Sequence, residues 1–392
     1  MSVTANFPGW PYFEKDEIDA AVRVLESGRV NYWTGNEGEN FEREYARAVG
    51  VRHAVALANG TVALEFALRA CGIGPGDDVV VPARTFVATA TAVMVCGARP
   101  VFADVDRISG NLSADTLEAA ITPATRAVVV VHVGGWPCDM DGILEVARAR
   151  SLRVIEDCAQ AHGAEYRGCK VGSFGDIGAF SFCQDKIITT GGEGGMAVTD
   201  SEDLWERVWS FKDHGKERSQ AIAAGAVGGF RWLHESLGTN GRMTEMQAAI
   251  GRVALAKLPQ RIAQRRRNAA IYDERLAAHT VLAVPVPQAD RVHAYYRYHF
   301  NVRPERLGTG WSRDRILDEC AAEGLPCGSG ACCEVYREGV VREAGYAPTG
   351  PLEIAASLSQ NALMLPVHHR LRELDLGRIL DGIELILARA SR

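Results

Sequence analysis

The feature that most constrains the fold is an alternation, through the first two thirds of the chain, of short apolar runs and longer stretches with helical periodicity. The runs consist mainly of Val and Ala, and they lack the polar–apolar alternation of a strand with one exposed face. They therefore predict strands buried on both faces, in a mostly parallel α/β sheet flanked by helices. The predicted strands cover residues 53–58, 78–81, 100–103, 127–131, 154–156, 179–182 and 196–198.

The last third of the chain has a different pattern, which predicts a smaller α+β domain. A long helix is predicted over residues 244–278, and an aromatic strand over residues 293–302 follows it. We place the large α/β domain at residues 1–255 and the small C-terminal domain at residues 256–392. Further predicted elements are helices at 14–28, 36–49, 313–323 and 371–390, and a Gly- and Ala-rich surface loop at 216–229.

Charge and composition argue against several classes of protein. The 43 Lys and Arg residues against 49 Asp and Glu residues give a net charge of −6, which argues against a nucleic-acid binder. No run approaches the roughly 18 uncharged apolar residues that span a bilayer, and the N-terminus lacks a secretory pattern. The ten cysteines form no C-x-x-C pair, so we expect free thiols in a cytoplasmic protein and no metal site.

Two predicted strands lead into residues that carry acid–base chemistry. The run at 154–156 ends in Asp157, and Lys186 follows the run at 179–182. Because ligands of α/β sheets bind at the carboxyl ends of the strands, both side chains lie where a site is expected. Taken singly, each residue is better explained as a loop acid or a surface lysine exposed to solvent.

Two other strand ends add an anion site and an aromatic ring. After the strand at 53–58, Gly60 and Thr61 open a helix whose first backbone N–H groups would face a phosphate. Phe86 follows the strand at 78–81, which places a ring at the same edge of the sheet. The simpler explanations are a plain capped helix and a core phenylalanine.

Together, the anion site, the ring, the carboxylate and the amine match the chemistry of pyridoxal phosphate (PLP). Asp157 would keep the pyridine nitrogen protonated, so that the ring can accept electrons. Lys186 would form the Schiff base and afterwards carry a proton between carbons. Its amine must be neutral to act, which burial and a nearby cation favour. The sequence therefore predicts a PLP-dependent enzyme.

The combined motifs resemble the sugar aminotransferases of PLP fold type I, called the DegT/DnrJ/EryC1/StrS family. The resemblance extends from about residue 35 to residue 366, and no single motif is specific without the others. The motifs are Glu-Asp-Cys-Ala-Gln-Ala-His-Gly at 156–163, Phe-Ser-Phe at 180–182 with Lys186 and Glu-Gly-Gly at 193–195, and Asn-Gly-Arg-Met at 240–243 with Gln-Ala-Ala at 247–249.

The resemblance implies which residues hold the cofactor ring. Lys186 matches the lysine that carries the cofactor, and Asp157 matches the partner of the pyridine nitrogen. Gln160 matches the residue at the phenolic oxygen of the ring, and Phe86 matches the aromatic side chain that stacks on it. Turnover would pass through the pyridoxamine form of the cofactor.

The resemblance also implies the phosphate contacts and the assembly. Gly60, Thr61 and Ser181 match positions that bind the phosphate, and Asn240 matches an asparagine that reaches the phosphate of the neighbouring subunit. The last role implies an obligatory homodimer with a shared active site. Gly241 departs from the family, where an aromatic residue is usual, and we expect this change to open the substrate pocket.

The family implies transfer of an amino group from Glu or Gln to a keto-sugar linked to a nucleotide, in aminosugar, antibiotic or polysaccharide biosynthesis. Alternatives are amination of a cyclitol ketone of the inosose type, a PLP lyase or dehydratase, and a non-catalytic sensor of the same fold. Tyr32, Arg242, His293 and Tyr296 are candidate substrate contacts. Packing and surface polarity are the alternative explanation for each of them.

Overall fold

The computed structural model of the protein describes residues 7–223 and 234–391. The helices are α1 (Lys15–Ser27), α2 (Glu37–Val49), α3 (Gly60–Ala70), α4 (Val87–Val95), α5 (Ala114–Ala120), α6 (Met140–Ala149), α7 (Glu202–Lys212), α8 (Arg218–Ala223), α9 (Glu245–Leu276), α10 (Arg313–Ala322), α11 (Gly339–Glu343), α12 (Glu353–Asn361) and α13 (Glu373–Ala390). The strands are β1 (His53–Leu57), β2 (Asp78–Pro82), β3 (Arg99–Ala103), β4 (Thr125–Val131), β5 (Arg153–Asp157), β6 (Glu165–Tyr166), β7 (Cys169–Lys170), β8 (Ile177–Ser181), β9 (Gly195–Thr199), β10 (Leu282–Ala283), β11 (Arg291–Val292), β12 (Tyr298–Val302) and β13 (Ala362–Leu365).

A seven-stranded sheet forms the centre of the larger part of the chain, with the order β1-β9-β8-β5-β4-β2-β3. The neighbours from β8 to β3 pair in parallel, while β9 runs antiparallel to both β1 and β8. All seven predicted strands lie in this sheet, so the predicted mostly parallel α/β architecture is confirmed. Because β1 runs in the same direction as β8, the carboxyl ends of β1, β2, β5 and β8 meet at one edge.

The central strands are buried on both faces, as the unbroken apolar runs predict. Val79 and Val81 of β2 pack into one core together with side chains of α3, α4 and α7. Val80, between them, packs into a second core together with side chains of α5 and α6. Successive side chains of a strand point to opposite faces, so two helical layers on one sheet require an apolar residue at every position.

The long helix α9 connects the two parts of the chain. It begins after Thr244, whose hydroxyl accepts a hydrogen bond from the backbone N–H of Gln247 in a capping box. Its first half packs on α1 and α2, and Tyr272 and Leu276 near its end pack into a separate core with α10 and α13. The predicted domain boundary at residue 255 lies inside this continuous helix, and the division at that residue stays a prediction.

The small part of the chain contains a three-stranded antiparallel sheet in the order β10-β12-β13. The predicted strand over residues 293–302 is wrong in its first half, because β12 begins only at Tyr298. The backbone N–H groups of Ala294 and Tyr296 instead donate to the carbonyl oxygens of two glycines that follow β4, Gly135 and Gly134. These bonds hold the segment before β12 against the large sheet.

The helices predicted at 14–28, 36–49, 244–278, 313–323 and 371–390 are present as α1, α2, α9, α10 and α13. The prediction of a loop over residues 216–229 is wrong where the structure describes it, because α8 lies there; residues 224–229 fall outside the described residues. Among the described residues, no helix combines the length and the apolar character needed to cross a lipid bilayer.

Candidate active site

The carboxyl ends of β1, β2, β5 and β8 border a cavity of about 730 Å³. The segment before β12 and residues 330–332 contribute further lining side chains. Patterns read separately at four strand ends thus converge on one place. The predicted site residues that line the cavity are Gly60, Thr61, Phe86, Asp157, Gln160, Ser181, Lys186 and Tyr296.

Lys186 is mostly buried, with 15% of its side chain exposed. Its amine lies 3.5 Å from a carboxylate oxygen of Asp185 and 5.1 Å from the ring centroid of Tyr296. Burial lowers the pKa of the amine, but Tyr296 and Asp185 raise it and prevail, so the pKa lies above its usual value. Of the two influences expected on this amine, burial is present and opposes its charge, while the acidic neighbour Asp185 favours the charge. The neutral amine stays a prediction for the enzyme that carries its cofactor.

Asp157 ends β5 and faces the same cavity as Lys186. Its carboxylate oxygens accept hydrogen bonds from the hydroxyl of Thr89 at 2.8 Å and from the backbone N–H of Ala159 at 3.1 Å. Burial raises the pKa of Asp157, although these hydrogen bonds and the Lys186 charge oppose the shift. A buried carboxylate of this kind is stabilised by a cationic partner, and a protonated ring nitrogen is one.

The beginning of α3 provides an anion site. Asn59 caps the helix, because its side-chain oxygen accepts from the N–H of Val62 at 2.9 Å. The N–H groups of Gly60 and Thr61 have no acceptor among the described residues. A Cβ atom at Gly60 would lie 2.5 Å from the Cβ of Ser181. Glycine therefore lets the start of α3 approach β8, so that its free backbone N–H groups lie near the hydroxyl of Ser181.

Phe86 and Gln160 supply an apolar and a polar part of the wall. The side chain of Phe86 is 64% exposed, which is high for a phenylalanine, and it lines the cavity. The amide oxygen of Gln160 accepts from the backbone N–H of Gly134 at 2.7 Å, which leaves its NH₂ group free to donate.

The residues of the cavity fit PLP in their chemistry. Two free backbone donors and a hydroxyl suit a phosphate, and an exposed phenyl ring suits a flat heterocycle. A desolvated carboxylate suits a ring nitrogen that carries a proton, and a lysine amine in the same cavity suits an aldehyde.

Three predicted substrate contacts do not line this cavity. The buried hydroxyl of Tyr32 donates to Glu42 at 3.1 Å. One terminal nitrogen of the Arg242 guanidinium pairs with Asp213 at 3.0 Å, whereas Nε has no hydrogen-bond partner among the described residues. A role of Arg242 toward a donor carboxylate stays a prediction. His293 is buried against a neighbouring tyrosine, with ring centroids 3.9 Å apart, and lines a separate small cavity.

Asn240 is exposed and does not line the cavity of its own chain. Its role toward a neighbouring subunit stays a prediction. Gly241 lies against α3, where a Cβ atom would come within 2.5 Å of the ring of Phe66. The missing side chain at Gly241 therefore permits close packing on α3, and its effect on the substrate pocket stays a prediction.

Three residues of the site escaped the sequence analysis. Thr89 lies one helical turn after Phe86, and that spacing would have placed both on the same side of α4. Trp10 donates its indole N–H to the carbonyl oxygen of Lys186 at 2.8 Å, but 176 positions separate them and no local pattern links them. Arg297 lines the cavity and directly follows Tyr296, a predicted substrate contact. Its position next to Tyr296 in the sequence could have indicated it.

A buried polar group anchors the end of β5 next to Asp157. His132, Glu156 and Cys158 bring their polar atoms within 4.8 Å of one another. His132 Nδ1 accepts from the backbone N–H of Cys138, so Nε2 carries the proton and donates to Glu156 at 3.1 Å. The same carboxylate accepts backbone hydrogen bonds from Gly172, Phe174 and Gly175.

Comparison with known proteins identifies the family of the chain. The sequence matches the DegT/DnrJ/EryC1/StrS aminotransferase family over residues 11–384. GDP-perosamine synthase of Caulobacter vibrioides is 39% identical, over 96% of this chain and 97% of its own length. The dTDP-3-amino-3,4,6-trideoxy-alpha-D-glucose transaminase of Streptomyces venezuelae is 36% identical, over 98% of this chain and 97% of its own length.

Solved structures extend the similarity to three dimensions. The X-ray structure of an aminotransferase from Psychrobacter cryohalolentis superimposes on this chain with a TM-score of 0.95 and 46% sequence identity. The superposition covers 98% of this chain and 100% of the other chain. The similarity therefore includes both the large sheet and the small C-terminal part.

Proposed function

Because the chain belongs to the DegT/DnrJ/EryC1/StrS aminotransferase family, we propose that it moves an amino group from Glu or Gln to a keto-sugar linked to a nucleotide. Membership of the family confirms the predictions of the fold class, the cofactor and the type of enzyme. The protein is a PLP-dependent aminotransferase of fold type I. The observation that carries the proposal is that Asp157 and Lys186 face one cavity at the ends of adjacent strands.

The lining residues divide into those that would hold the cofactor and one that moves protons. Gly60, Thr61 and Ser181 would bind the phosphate, and Phe86 would stack on the ring. When bound, PLP supplies an aldehyde that captures the amino group and a ring that takes up electrons from the bond that breaks.

Asp157 and Lys186 provide the chemistry that the chain itself contributes. Asp157, held by Thr89 and Ala159, would keep a proton on the ring nitrogen. The amine of Lys186 would take a proton from the donor carbon that bears the nitrogen and deliver it to the carbon on the other side of that nitrogen. The NH₂ group of Gln160 would donate to the phenolic oxygen of the ring.

The acceptor is proposed from the relatives and from the cavity. The two relatives compared above are named for products that carry GDP and dTDP, and each aligns along nearly all of this chain. A cavity of about 730 Å³ has the size of a ligand site that holds a cofactor and part of a second molecule. Tyr296, whose ring lies beside Lys186, would contact the sugar.

We further propose a homodimer in which Asn240 reaches the phosphate of the neighbouring subunit. Its exposed position, outside the cavity of its own chain, supports a role in trans. The described cysteines form no disulfide, in keeping with the reducing environment of the cytoplasm, where we expect the enzyme to act.

The proposal is tested by following the cofactor spectrum through one half-reaction. The enzyme is first converted to the pyridoxamine form with Glu or Gln and freed of donor, and it is then mixed with keto-sugars that carry GDP, UDP or dTDP, and with inososes. We expect one nucleotide keto-sugar to restore the PLP absorbance and to yield an amino sugar. A response to inososes alone would favour a cyclitol aminotransferase, and released ammonia would indicate a lyase or dehydratase.

A further inference from the structure

Arg297 is a cation in the wall of the active-site cavity that lacks an acidic partner. The side chain is half-buried and lines the cavity together with Lys186 and Tyr296. Its guanidinium carbon lies 5.0 Å from the ring centroid of Tyr296. Among the described residues, no carboxylate lies within ion-pair distance of it, whereas Lys186 has Asp185 at 3.5 Å. A guanidinium presented to a ligand cavity in this way is suited to a planar oxyanion.

A second guanidinium, that of Arg265, adds to the positive potential around the first. Arg265 is almost fully buried and donates to the carbonyl oxygens of Tyr295 at 3.0 Å and Tyr296 at 3.3 Å. Burial and the neighbouring charge of Arg297 lower the pKa of Arg265 to about 9. Arg265 also has no carboxylate at ion-pair distance among the described residues, so neither guanidinium has a direct acidic partner to offset their repulsion.

The acid that faces this pair is already engaged. Asp185 accepts a hydrogen bond from the Tyr296 hydroxyl and faces the amine of Lys186. Burial raises the pKa of Asp185, but the charge of Lys186, the hydrogen bond from Tyr296 and the charge of Arg297 together lower it. No hydrogen bond joins Asp185 to Arg297 among the described residues. The local excess of positive charge is therefore left for a ligand to neutralise.

The guanidinium of Arg297 lies close to the amine of Lys186. The Lys186 amine and the Arg297 guanidinium lie 5.1 and 5.0 Å from the same ring centroid, that of Tyr296, so they are at most about 10 Å apart. A substrate that reacts beside Lys186 and carries a negative group a few bonds away can span this distance. Both an amino-acid donor and a nucleotide-linked acceptor are of this kind.

We infer that Arg297 binds a carboxylate or phosphate oxyanion of a substrate and thereby orients its reacting carbon at Lys186. The inference rests on the proposed function, because it takes its ligand from that reaction. The oxyanion has two sources, the carboxylate of the donor or the diphosphate of the acceptor. Arg265 is a positioning residue, since it holds the backbone of the segment that carries Tyr296 and Arg297.

The test measures equilibrium binding to the holoenzyme rather than turnover. Glutarate serves as the probe for the donor, and UDP, dTDP and GDP serve as probes for the acceptor, each titrated calorimetrically. We expect Arg297→Gln to weaken binding of one class of probe at least tenfold. Arg297→Lys should recover part of the loss, because lysine keeps the positive charge but lacks the planar pair of N–H donors of a guanidinium. The class that weakens identifies the oxyanion.

The matched control is Arg303→Gln, an exposed arginine that directly follows β12 and does not line the cavity. It should leave all affinities unchanged. Equal affinities in wild type and Arg297→Gln would overturn the inference, as would a wild-type enzyme that binds none of the probes. Failure of the proposed function is a separate result, because it requires that wild-type enzyme aminate no keto-sugar.

Discussion

At the scale of single residues, the amine of Lys186 is expected to be indispensable. It lies beside the ring of Tyr296 in the cavity, and among the described lining residues it is the amine that can capture an aldehyde and move a proton. We expect Lys186→Ala to lose the visible absorbance of the lysine-bound cofactor and to lower turnover by a factor of about 10²–10⁴ or more. Absorption spectra and amine transfer are the measurements.

Lys170→Ala is the control for this variant, because Lys170 pairs with Glu165 at the surface of the small β6–β7 hairpin, away from the strand ends. It should keep both the spectrum and the activity of the wild type. Transamination that survives in Lys186→Ala would remove Lys186 from the mechanism.

The buried charge of Asp157 is expected to lower the stability of the fold while it serves amine transfer. Its folded-state pKa is raised by burial, so the charged form that prevails at neutral pH destabilises the fold, and this cost grows as the pH rises above about 4. Asp157→Asn removes the charge and can still pair with the hydroxyl of Thr89. We expect the cofactor-free variant to unfold at a temperature equal to or above that of the wild type at pH 7, while amine transfer falls at least a hundredfold.

The stability difference between wild type and Asp157→Asn should shrink when the pH is lowered from 7 to 4, because the wild-type carboxyl then takes up its proton. Thermal unfolding at several pH values measures it. A variant that is markedly less stable than the wild type at pH 7, or equally active, would contradict the assignment.

Single residues also show where sequence reasoning stops. Asp157 and Lys186 were predictable because each follows a strand whose apolar run marks its carboxyl end. The ion pair of Arg242 with Asp213 was not, since 29 positions and a turn of the chain separate them. A lone arginine or tyrosine in a sequence carries no sign of the partner that it has in the fold, such as Asp213 for Arg242 and Glu42 for Tyr32.

At the scale of elements, the contact between α3 and β8 sets the phosphate donors. We expect Gly60→Ala to push the helix from Ser181, since the new Cβ would lie 2.5 Å from a side-chain carbon and 3.1 Å from a backbone carbon. Overpacking of this kind costs about 1–3 kcal/mol, and we expect the dissociation constant of the cofactor to rise about tenfold or more. Titration of the apoenzyme with PLP measures it.

Gly377→Ala is the contrasting variant. Gly377 lies within α13, and a Cβ there meets no atom within 4 Å. Alanine lowers the conformational entropy of the unfolded chain, which stabilises the fold by about 0.4–1 kcal/mol and should raise the thermal midpoint slightly. The affinity for the cofactor should stay unchanged. If Gly60→Ala binds PLP as tightly as this variant does, the α3 cradle does not hold the phosphate.

Elements with strong periodicity were predictable, and those defined by long-range pairing were not. The buried runs of β2 and β4 and the amphipathic helices α1 and α13 carry their own signal. The aromatic stretch over residues 293–302 has the composition of a strand throughout. Its first half nevertheless forms hydrogen bonds to the glycine turn after β4, and only its second half forms β12. Local composition could not reveal that competition, because the partner lies about 160 residues earlier.

At the scale of the whole molecule, the cavity is built from both parts of the chain. The large sheet contributes Asp157 and Lys186, and the small part contributes Arg297 through a segment held by Arg265 of α9. The continuous helix α9 thus connects the large part of the chain to the segment that carries Arg297. The remaining wall is proposed to come from a second subunit, and this is a property of the assembly that mixing experiments can test.

Two inactive variants should restore activity when their subunits are exchanged. Lys186→Ala lacks the amine but keeps Asn240, whereas Asn240→Asp keeps the amine and presents a negative charge to the phosphate of its neighbour. If the site is shared, a hybrid dimer holds one intact site, formed by Lys186 of one chain and Asn240 of the other. Equal amounts of the two variants, unfolded and refolded together, should regain about a quarter of wild-type activity, since half of the dimers are hybrids with one working site of two. Mixing without exchange is the control and should stay inactive; an exchanged mixture that shows no gain over the separately refolded variants would place Asn240 outside the partner's site.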